Sequence, residues 1–167
     1  VQSADDDVAK PQFYSLRVND AGGGIALPLD TTQAKAIYGQ NQPFTVQMWV
    51  NFDKDIKGRN NRGNATPMLF DILAQHSIFS QKINNEWVLI IRYPTNDKDG
   101  YRDKTTSLKL TPGKFYNVVA SHDGNRHWMM RLIDEDGKLQ KDSVTAERDV
   151  TYTTNNSRAG FTFGTNF

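Results

Sequence analysis

The chain has 167 residues, of which 20 are Lys or Arg and 19 are Asp or Glu, so its net charge is +1. This balance predicts no general affinity for nucleic acid or for anionic membranes. The absence of cysteine excludes a disulfide framework, a thiol nucleophile and a cysteine zinc site. No apolar run reaches the roughly 18 residues that a membrane-spanning helix needs, so we expect no membrane insertion of this domain.

The length predicts one domain, with a short polar segment before it. Residues 1–10 are polar and acidic, with three consecutive aspartates, and we expect them to be disordered. The first residue is Val1 rather than a methionine, which is typical of a stub left by processing or trimming. We assign residues 11–167 to a single folded domain.

The N-terminal half of this domain is predicted to contain strands and one short helix. Strands are expected at residues 14–18 and 24–27. Residues 31–38 favour a helix, because Asp30 precedes them in an N-cap-like position and two alanines lie within them. In residues 44–52 apolar and polar side chains alternate, which predicts a half-buried strand.

Strands also dominate the rest of the chain. Residues 87–93 are apolar on both faces, as in the centre of a sheet. Residues 116–122 and 127–133 flank an Asp-Gly-Asn-Arg turn and a second Asp-Gly turn follows, which predicts a meander over residues 111–140. Shorter strands are expected at residues 68–73, 77–82, 107–110 and 161–163.

Many short strands separated by Gly and Asp turns indicate an all-β domain, either an antiparallel β-sandwich or a jelly roll. Two polar segments, residues 53–66 and 94–106, are predicted to be long loops. Because long loops on a rigid β scaffold are common places for function, we take both as candidate binding segments, with solvated connectors as the alternative.

Familiar catalytic patterns are missing from the sequence. It contains no Gly-x-Ser-x-Gly elbow and no P-loop. The run Ser121-His122-Asp123 has the residue types of a triad, but neighbouring residues of a strand point to opposite faces. The acidic clusters at residues 134–136 and 147–149 are expected to be solvated surface rather than the paired carboxylates of a glycoside hydrolase.

One loop offers a weak metal site. Asp97, Asp99 and Asp103 lie within residues 94–106, and carboxylates suit a hard cation such as calcium. The spacing is not that of an EF-hand, because Thr95 and Thr106 occupy positions where that motif needs other residues. We therefore expect no required cofactor and treat bound calcium as an open alternative.

Five segments, in register over residues 16–164, resemble a known family. Residues 44–50 are similar to a Phe-Thr-x-x-x-Trp-Val strand, and residues 113–124 to a Trp-x-x-Val-Ala-x-x-x-Asp-Gly strand and turn in which Tyr116 replaces the Trp. The other matching segments are residues 16–28, 132–138 and 161–164. Together they resemble the laminin-G-like, concanavalin A-like jelly roll. That resemblance implies a closing C-terminal strand that pairs near the N-terminus. We expect this strand either to be missing here or to be replaced by an earlier segment.

The resemblance also implies a function in binding rather than catalysis. Such domains bind glycans or other proteins outside the cell, commonly as one module of a larger secreted or lipid-anchored bacterial surface protein. Our hypothesis is a non-catalytic, extracellular, lectin-like carbohydrate-binding module. The alternatives are a structural, adhesion or protein-interaction module without a sugar site, and a glycoside hydrolase. The last lacks the Glu-x-Asp-x-x-Glu strand of the related glucanases.

A sugar site needs aromatic faces together with Asn, Asp or Arg for the hydroxyl groups. Trp49 is a candidate because it lies on the polar face of its strand, although packing under a loop or against a second sheet is the favoured interpretation. Trp128 is expected in the core. The remaining candidates lie on or beside the two long loops: Tyr93, Tyr101 and Arg102 on one rim, and Arg59, Asn60 and Arg62 on the other.

Overall fold

The computed structural model describes residues 25–38, 42–52, 68–72, 76–95, 101–146 and 160–163. Within them the chain forms ten strands and one helix. In chain order these are β1 (Ile25–Pro28), α1 (Thr31–Tyr38), β2 (Phe44–Asn51), β3 (Met68–Ile72), β4 (His76–Ile83), β5 (Glu86–Pro94), β6 (Tyr101–Leu110), β7 (Phe115–His122), β8 (His127–Asp134), β9 (Leu139–Thr145) and β10 (Gly160–Phe163). No helix in these ranges is long and apolar enough to cross a membrane.

The strands form two antiparallel sheets. The six-stranded sheet has the order β1-β10-β3-β4-β5-β6, and the four-stranded sheet has the order β2-β7-β8-β9. Their inner faces pack together, with buried residues from both sheets in one hydrophobic cluster. The predicted all-β sandwich is therefore confirmed.

Strict alternation of side chains builds this core. Along β2, Phe44, Val46, Met48 and Val50 pack against the buried cluster, while the residues between them are exposed. Trp128, Met130 and Leu132 of β8 are fully buried, as expected for Trp128. Each large apolar side chain buried in this way contributes roughly 1.5–3 kcal/mol to stability.

Local sequence signals set the ends of several elements. Asp30 and Gln33 form a reciprocal capping box at the start of α1, with N–H···O distances of 2.8 and 3.1 Å, which confirms the predicted helix. Asn84 and Asn85 both have positive φ, 48° and 69°, as a two-residue type I′ turn between β4 and β5 requires. The carboxylate of Asp123 accepts three backbone N–H groups in the β7–β8 turn.

One expectation about the strands is wrong. Residues 101–106, predicted as part of a loop, belong to β6, which pairs with β5 through Tyr93↔Arg102 and Pro94↔Tyr101. The sequence of β6 is polar because it is an edge strand whose outward residues meet solvent. The strand predicted at residues 161–163 is β10, and it pairs with β1 along four residues. This earlier segment thus takes the position near the N-terminal strand that the closing strand was expected to occupy.

The two sheets are joined along one side by side-chain hydrogen bonds between β6 and β9. Asp142 accepts the backbone N–H and the hydroxyl of Ser107, at 2.6 and 3.0 Å. Gln140 accepts the N–H of Lys109 and donates to its carbonyl oxygen, both at 3.0 Å. The inward-facing polar residues of β9 thus hold the edges of the two sheets together. The strand farthest from this junction in the four-stranded sheet is β2.

Arg92 contacts several side chains on the side of the β5–β6 pair that faces away from the four-stranded sheet. Its guanidinium makes two hydrogen bonds to Asp103, at 2.7 and 2.9 Å. It also lies 4.2 Å from the centre of the Tyr101 ring and 5.2 Å from that of Phe79. Hydrogen bonding to Asp103 raises the pKa of Arg92, although partial burial opposes the change. We refer to these four residues as the Arg92 cluster.

An aromatic cluster connects the two sheets internally. His76 of β4 and His122 of β7 have ring centres 4.8 Å apart, and Phe44 and Trp128 complete the cluster at 4.7–5.8 Å. The backbone N–H of Gly124 donates to Nδ1 of His122, so the neutral ring carries its proton on Nε2. The geometry around His122 therefore requires an uncharged imidazole.

Burial lowers the pKa of His122 to about 4, with Asp123 opposing this change and His127 adding to it. Burial and the neighbouring His122 also lower the pKa of His76 well below its ordinary value. Between pH 6.5 and pH 4 the unfolded chain therefore binds more protons than the folded chain. The free energy of unfolding must fall as the pH decreases through this range.

We predict that His122 alone makes the chain about 2 kcal/mol less stable at pH 5 than at pH 7.5. Urea unfolding at the two pH values measures this difference. His122→Phe removes the titrating group and should reduce the difference by about that amount. His127→Gln, which changes an exposed histidine of the same region, is the control and should change it far less, because His127 is the smallest of the causes that shift the pKa of His122. An unchanged pH dependence in His122→Phe would contradict the assignment.

We also predict that Arg92→Lys lowers the free energy of unfolding by about 1–2 kcal/mol. The variant keeps the charge but loses the paired hydrogen bonds to Asp103 and the planar contact with Tyr101. The matched control is Lys109→Gln, which breaks the exposed ion pair with Glu86 and should cost less than about 1 kcal/mol. Equal losses in the two variants would show that the Arg92 cluster is an ordinary surface ion pair.

Candidate functional site

The strongest candidate site is the surface of the four-stranded sheet that points away from the core, which we call the outer face. Sixteen side chains form it, four from each strand. They are Thr45, Gln47, Trp49 and Asn51 of β2, Phe115, Asn117, Val119 and Ser121 of β7, His127, Met129, Arg131 and Ile133 of β8, and Leu139, Lys141, Ser143 and Thr145 of β9.

A row of side chains crosses the outer face at Trp49. The strand register places Trp49 opposite Asn117, Asn117 opposite Ile133, and Ile133 opposite Leu139. With strands about 4.8 Å apart, the row spans about 14 Å. Trp49 is 63 % exposed and Leu139 is 45 % exposed, so the row has a large aromatic surface at one end and an aliphatic one at the other.

The exposure of Trp49 corrects the favoured interpretation of the sequence, in which this residue packs under a loop or against a second sheet. Its strand neighbours Met48 and Val50 do face the core, so the alternation of β2 directs Trp49 outward. The exposed Phe115 lies diagonally across from it on β7, opposite Asn51. Two aromatic rings are thus presented at this edge of the outer face.

Amide side chains flank Trp49. Gln47, two residues along β2, donates its Nε2 proton to Oδ1 of Asn117 at 3.1 Å, and Asn117 is the direct cross-strand neighbour of Trp49. Asn51, two residues in the other direction, donates to the carbonyl oxygen of Gly113 at 3.4 Å. These bonds fix polar groups beside the indole on a surface whose backbone is already held by the sheet.

A shallow groove of about 510 Å³ lies at the far end of the outer face. It is lined by Pro43, Phe44, Thr45, Ser121, His122, Asp123, His127 and Met129. Hydroxyl and ring nitrogen atoms are paired at or beside it, Thr45 with Ser121 and His127 with Thr145, each at 2.9 Å. Met129 is 61 % exposed. The groove therefore adds an apolar side chain and paired hydroxyl groups to the same surface.

The loop-rim candidates do not join Trp49 in one site. Tyr93 is 1 % exposed, so it presents no surface to a ligand. Tyr101 is 40 % exposed but belongs to the Arg92 cluster. Arg102 is exposed, and as the next residue of β6 it points to the opposite face from Tyr101. All three lie in the six-stranded sheet, whereas Trp49 is on β2, far from the β6–β9 junction.

The remaining candidates fall largely outside the described residues. Arg59, Asn60 and Arg62 lie there, as do Asp97 and Asp99. The third carboxylate of the calcium hypothesis, Asp103, is a strand residue hydrogen-bonded to Arg92. Within the described ranges, no group of three or more His, Cys, Asp or Glu could hold a metal ion. Calcium binding by residues 94–106 thus remains a prediction.

Sequence reasoning missed most of the outer face. The sequence pattern does not mark Phe115 and Leu139 as exposed apolar residues, and it does not single out Arg131 or Lys141. The signal for β8 was present, since residues 127–133 alternate between exposed and buried positions. The signal for β9 was hidden, because its inward residues Gln140 and Asp142 are polar and serve the junction with β6.

No protein-family model and no curated protein matches the chain. Among solved structures, it is similar to the LG1-3 region of the laminin alpha2 chain, with a TM-score of 0.54. The similarity covers 86 % of this chain at 10 % sequence identity, and it spans 24 % of that chain. At this identity the similarity establishes the fold, and the domain is accordingly a laminin-G-like antiparallel β-sandwich.

Proposed function

We propose that this chain is a non-catalytic, extracellular carbohydrate-binding module in which the glycan lies on the outer face. The observation that carries the proposal is Trp49, 63 % exposed on a rigid sheet with amide side chains on both sides of it along β2. An indole in this position stacks against the apolar face of a sugar ring, and neighbouring amides hydrogen-bond to the hydroxyl groups.

The rigidity of the site supports this function. Side chains of the outer face stand on strands whose backbone is fixed by continuous pairing from β2 to β9. Little conformational entropy is lost when a ligand binds to such a surface, because the site is already organised. An exposed aromatic residue is otherwise unfavourable in water, and exposed apolar patches commonly mark interaction sites.

Placement of the module outside the cell, within a larger surface protein, is the second part of the proposal. It rests on the laminin-G-like fold and on the strand motifs that resemble extracellular jelly rolls. A bacterial, lipid-anchored parent protein is an extension that only the sequence resemblance supports. Since a fold alone does not determine function, the binding surface itself must decide between the alternatives.

The acidic turn between β8 and β9 supports binding without catalysis. Asp134 accepts the backbone N–H groups of Asp136 and Lys138, at 3.1 and 2.8 Å, and Asp136 pairs with Lys114 at 2.9 Å. These carboxylates maintain the turn rather than facing each other across a groove, as a glycoside hydrolase requires. The cluster at residues 147–149 lies outside the described residues.

A protein-interaction module is the competing function, and a specific observation favours it. Phe115, Met129 and Leu139 add to Trp49 a set of exposed apolar side chains distributed over three further strands. Apolar contacts of this kind also form the centre of protein interfaces. The two functions make different predictions for soluble glycans. A carbohydrate-binding module binds them through Trp49, whereas a protein-interaction module does not bind them.

We predict that Trp49→Ala weakens binding to any polysaccharide that retards the wild-type chain in affinity gel electrophoresis by about tenfold or more, because the stacking surface is lost. Tyr101→Ala is the matched control, since it removes an exposed aromatic residue from the other sheet. It should leave retardation unchanged. A comparison of the two variants therefore separates the outer face from the loop rim.

Three results would decide against parts of this account. Loss of retardation in Tyr101→Ala but not in Trp49→Ala would move the site to the rim of Tyr101 and Arg102. Loss with a chelator would add calcium to the site. No retardation of the wild-type chain across neutral and acidic polysaccharides would contradict carbohydrate binding and leave the protein-interaction module.

A further inference from the structure

Two cations face each other on the β8–β9 side of the outer face. Arg131 of β8 and Lys141 of β9 are direct cross-strand neighbours, and both are exposed. Side chains in this relation have their Cβ atoms about 4.5–5.5 Å apart, and like charges placed there are destabilising. An opposite charge at one of these positions would stabilise the sheet instead.

No side chain that the structure describes on the outer face neutralises this pair. None of the sixteen outward side chains is Asp or Glu. Their immediate neighbours in the sheet are instead apolar or uncharged, among them Val119, Met129 and Ile133. Within the described part of the chain, neither cation forms an ion pair.

Three carboxylates near this pair are used elsewhere. Asp142 follows Lys141 but points inward, where it binds Ser107 at the β6–β9 junction. Asp134 and Asp123 accept backbone N–H groups in the turns at the two ends of the sheet. Burial acts to raise the pKa of Asp123, but hydrogen bonds from three backbone N–H groups hold this pKa below its ordinary value and keep the carboxylate in the turn. The charge of the Arg131–Lys141 pair is therefore left for an external anion.

We propose that Arg131 and Lys141 together bind an acidic group, a carboxylate or a sulfate ester, carried by a glycan that lies across the outer face. The inference rests on the proposed carbohydrate-binding function and specifies its ligand class as anionic. A planar guanidinium and an ammonium side by side provide both paired and single charge-assisted hydrogen bonds to such a group.

The distance to Trp49 fits one continuous ligand. Arg131 lies two strands and one row from Trp49, which places their Cα atoms about 12 Å apart. Lys141 is one strand farther, at about 16 Å. An oligosaccharide whose ring stacks on the indole therefore reaches the cations along the same surface, whereas a single sugar does not.

The experiment uses three forms of one polymer: dextran, carboxymethyl dextran and dextran sulfate. Affinity gel electrophoresis with each form is applied to the wild-type chain, to Arg131→Gln/Lys141→Gln and to Lys82→Gln/Lys109→Gln. The last variant is the matched control, because it removes the same charge from exposed positions of the six-stranded sheet. We expect the acidic polymers to bind the wild-type chain more tightly than dextran does. The outer-face variant, Arg131→Gln/Lys141→Gln, should bind the acidic polymers about tenfold more weakly, whereas the affinity of the control should change little. Comparison of carboxymethyl dextran with dextran sulfate shows whether the chain prefers a carboxylate or a sulfate ester.

The outcomes separate this inference from the proposed function. If no polymer and no neutral glycan of a wider panel binds the wild-type chain, the proposed function fails. If glycans bind but charged forms bind no better, or the two double variants behave alike, the anionic specificity is wrong and the function stands. Single-stranded DNA is a further probe. If it binds as tightly as the acidic dextrans and the outer-face variant loses affinity for both to the same extent, the surface binds polyanions in general. That result would also overturn the inference.

A second readout tests the cost of the pair without any ligand. If Arg131 and Lys141 repel each other, then Lys141→Gln should raise the melting temperature of the free chain or leave it unchanged. A lower melting temperature in Lys141→Gln would show that the pair stabilises the sheet, and the argument for an external anion would fail.

Discussion

The antiparallel register of the four-stranded sheet is the constraint on which the rest of the account depends. Because side chains of a strand alternate between two faces, the pairing that buries Trp128 and Met130 in the core also exposes Met129 and Arg131 on the other side. The same pairing aligns Trp49 with Asn117 and Arg131 with Lys141. A shift of one residue in any strand would exchange core and surface, so the composition of the outer face is tied to the stability of the fold.

The interior explains how this surface can be specialised. Packing of the two sheets, the bonds between β6 and β9 and the aromatic cluster around His122 provide the stability. The outward residues of β2, β7, β8 and β9 are then free to differ from an optimal surface, which would carry fewer exposed aromatic residues and no cross-strand pair of cations. Such departures from a locally favourable sequence are typical of places where a protein binds something.

Local patterns in the sequence were sufficient for most of the fold, and long-range pairing was needed for the site. Residues 44–52 and 127–133 predict strands because their alternation is regular, and α1 was predicted from Asp30 and its alanines. The sequence of residues 101–106 predicts a loop, because a polar edge strand lacks the regular apolar alternation that indicates a strand. Tyr93 was placed on a rim, although it lies inside, because its burial depends on neighbours distant in sequence. The Arg131–Lys141 pair emerges only from the β8–β9 register, which no local pattern contains.

The central claim is that ligand binds across the outer face, from Trp49 toward Lys141. The most direct measurement is the change in amide NMR shifts when a polysaccharide fragment that binds the chain is titrated into it. The account predicts that the shifts concentrate in residues 47–51, 117–119, 131–133 and 139–141, together with the indole N–H of Trp49. Shifts centred on residues 93–103, with the four-stranded sheet unaffected, would contradict it.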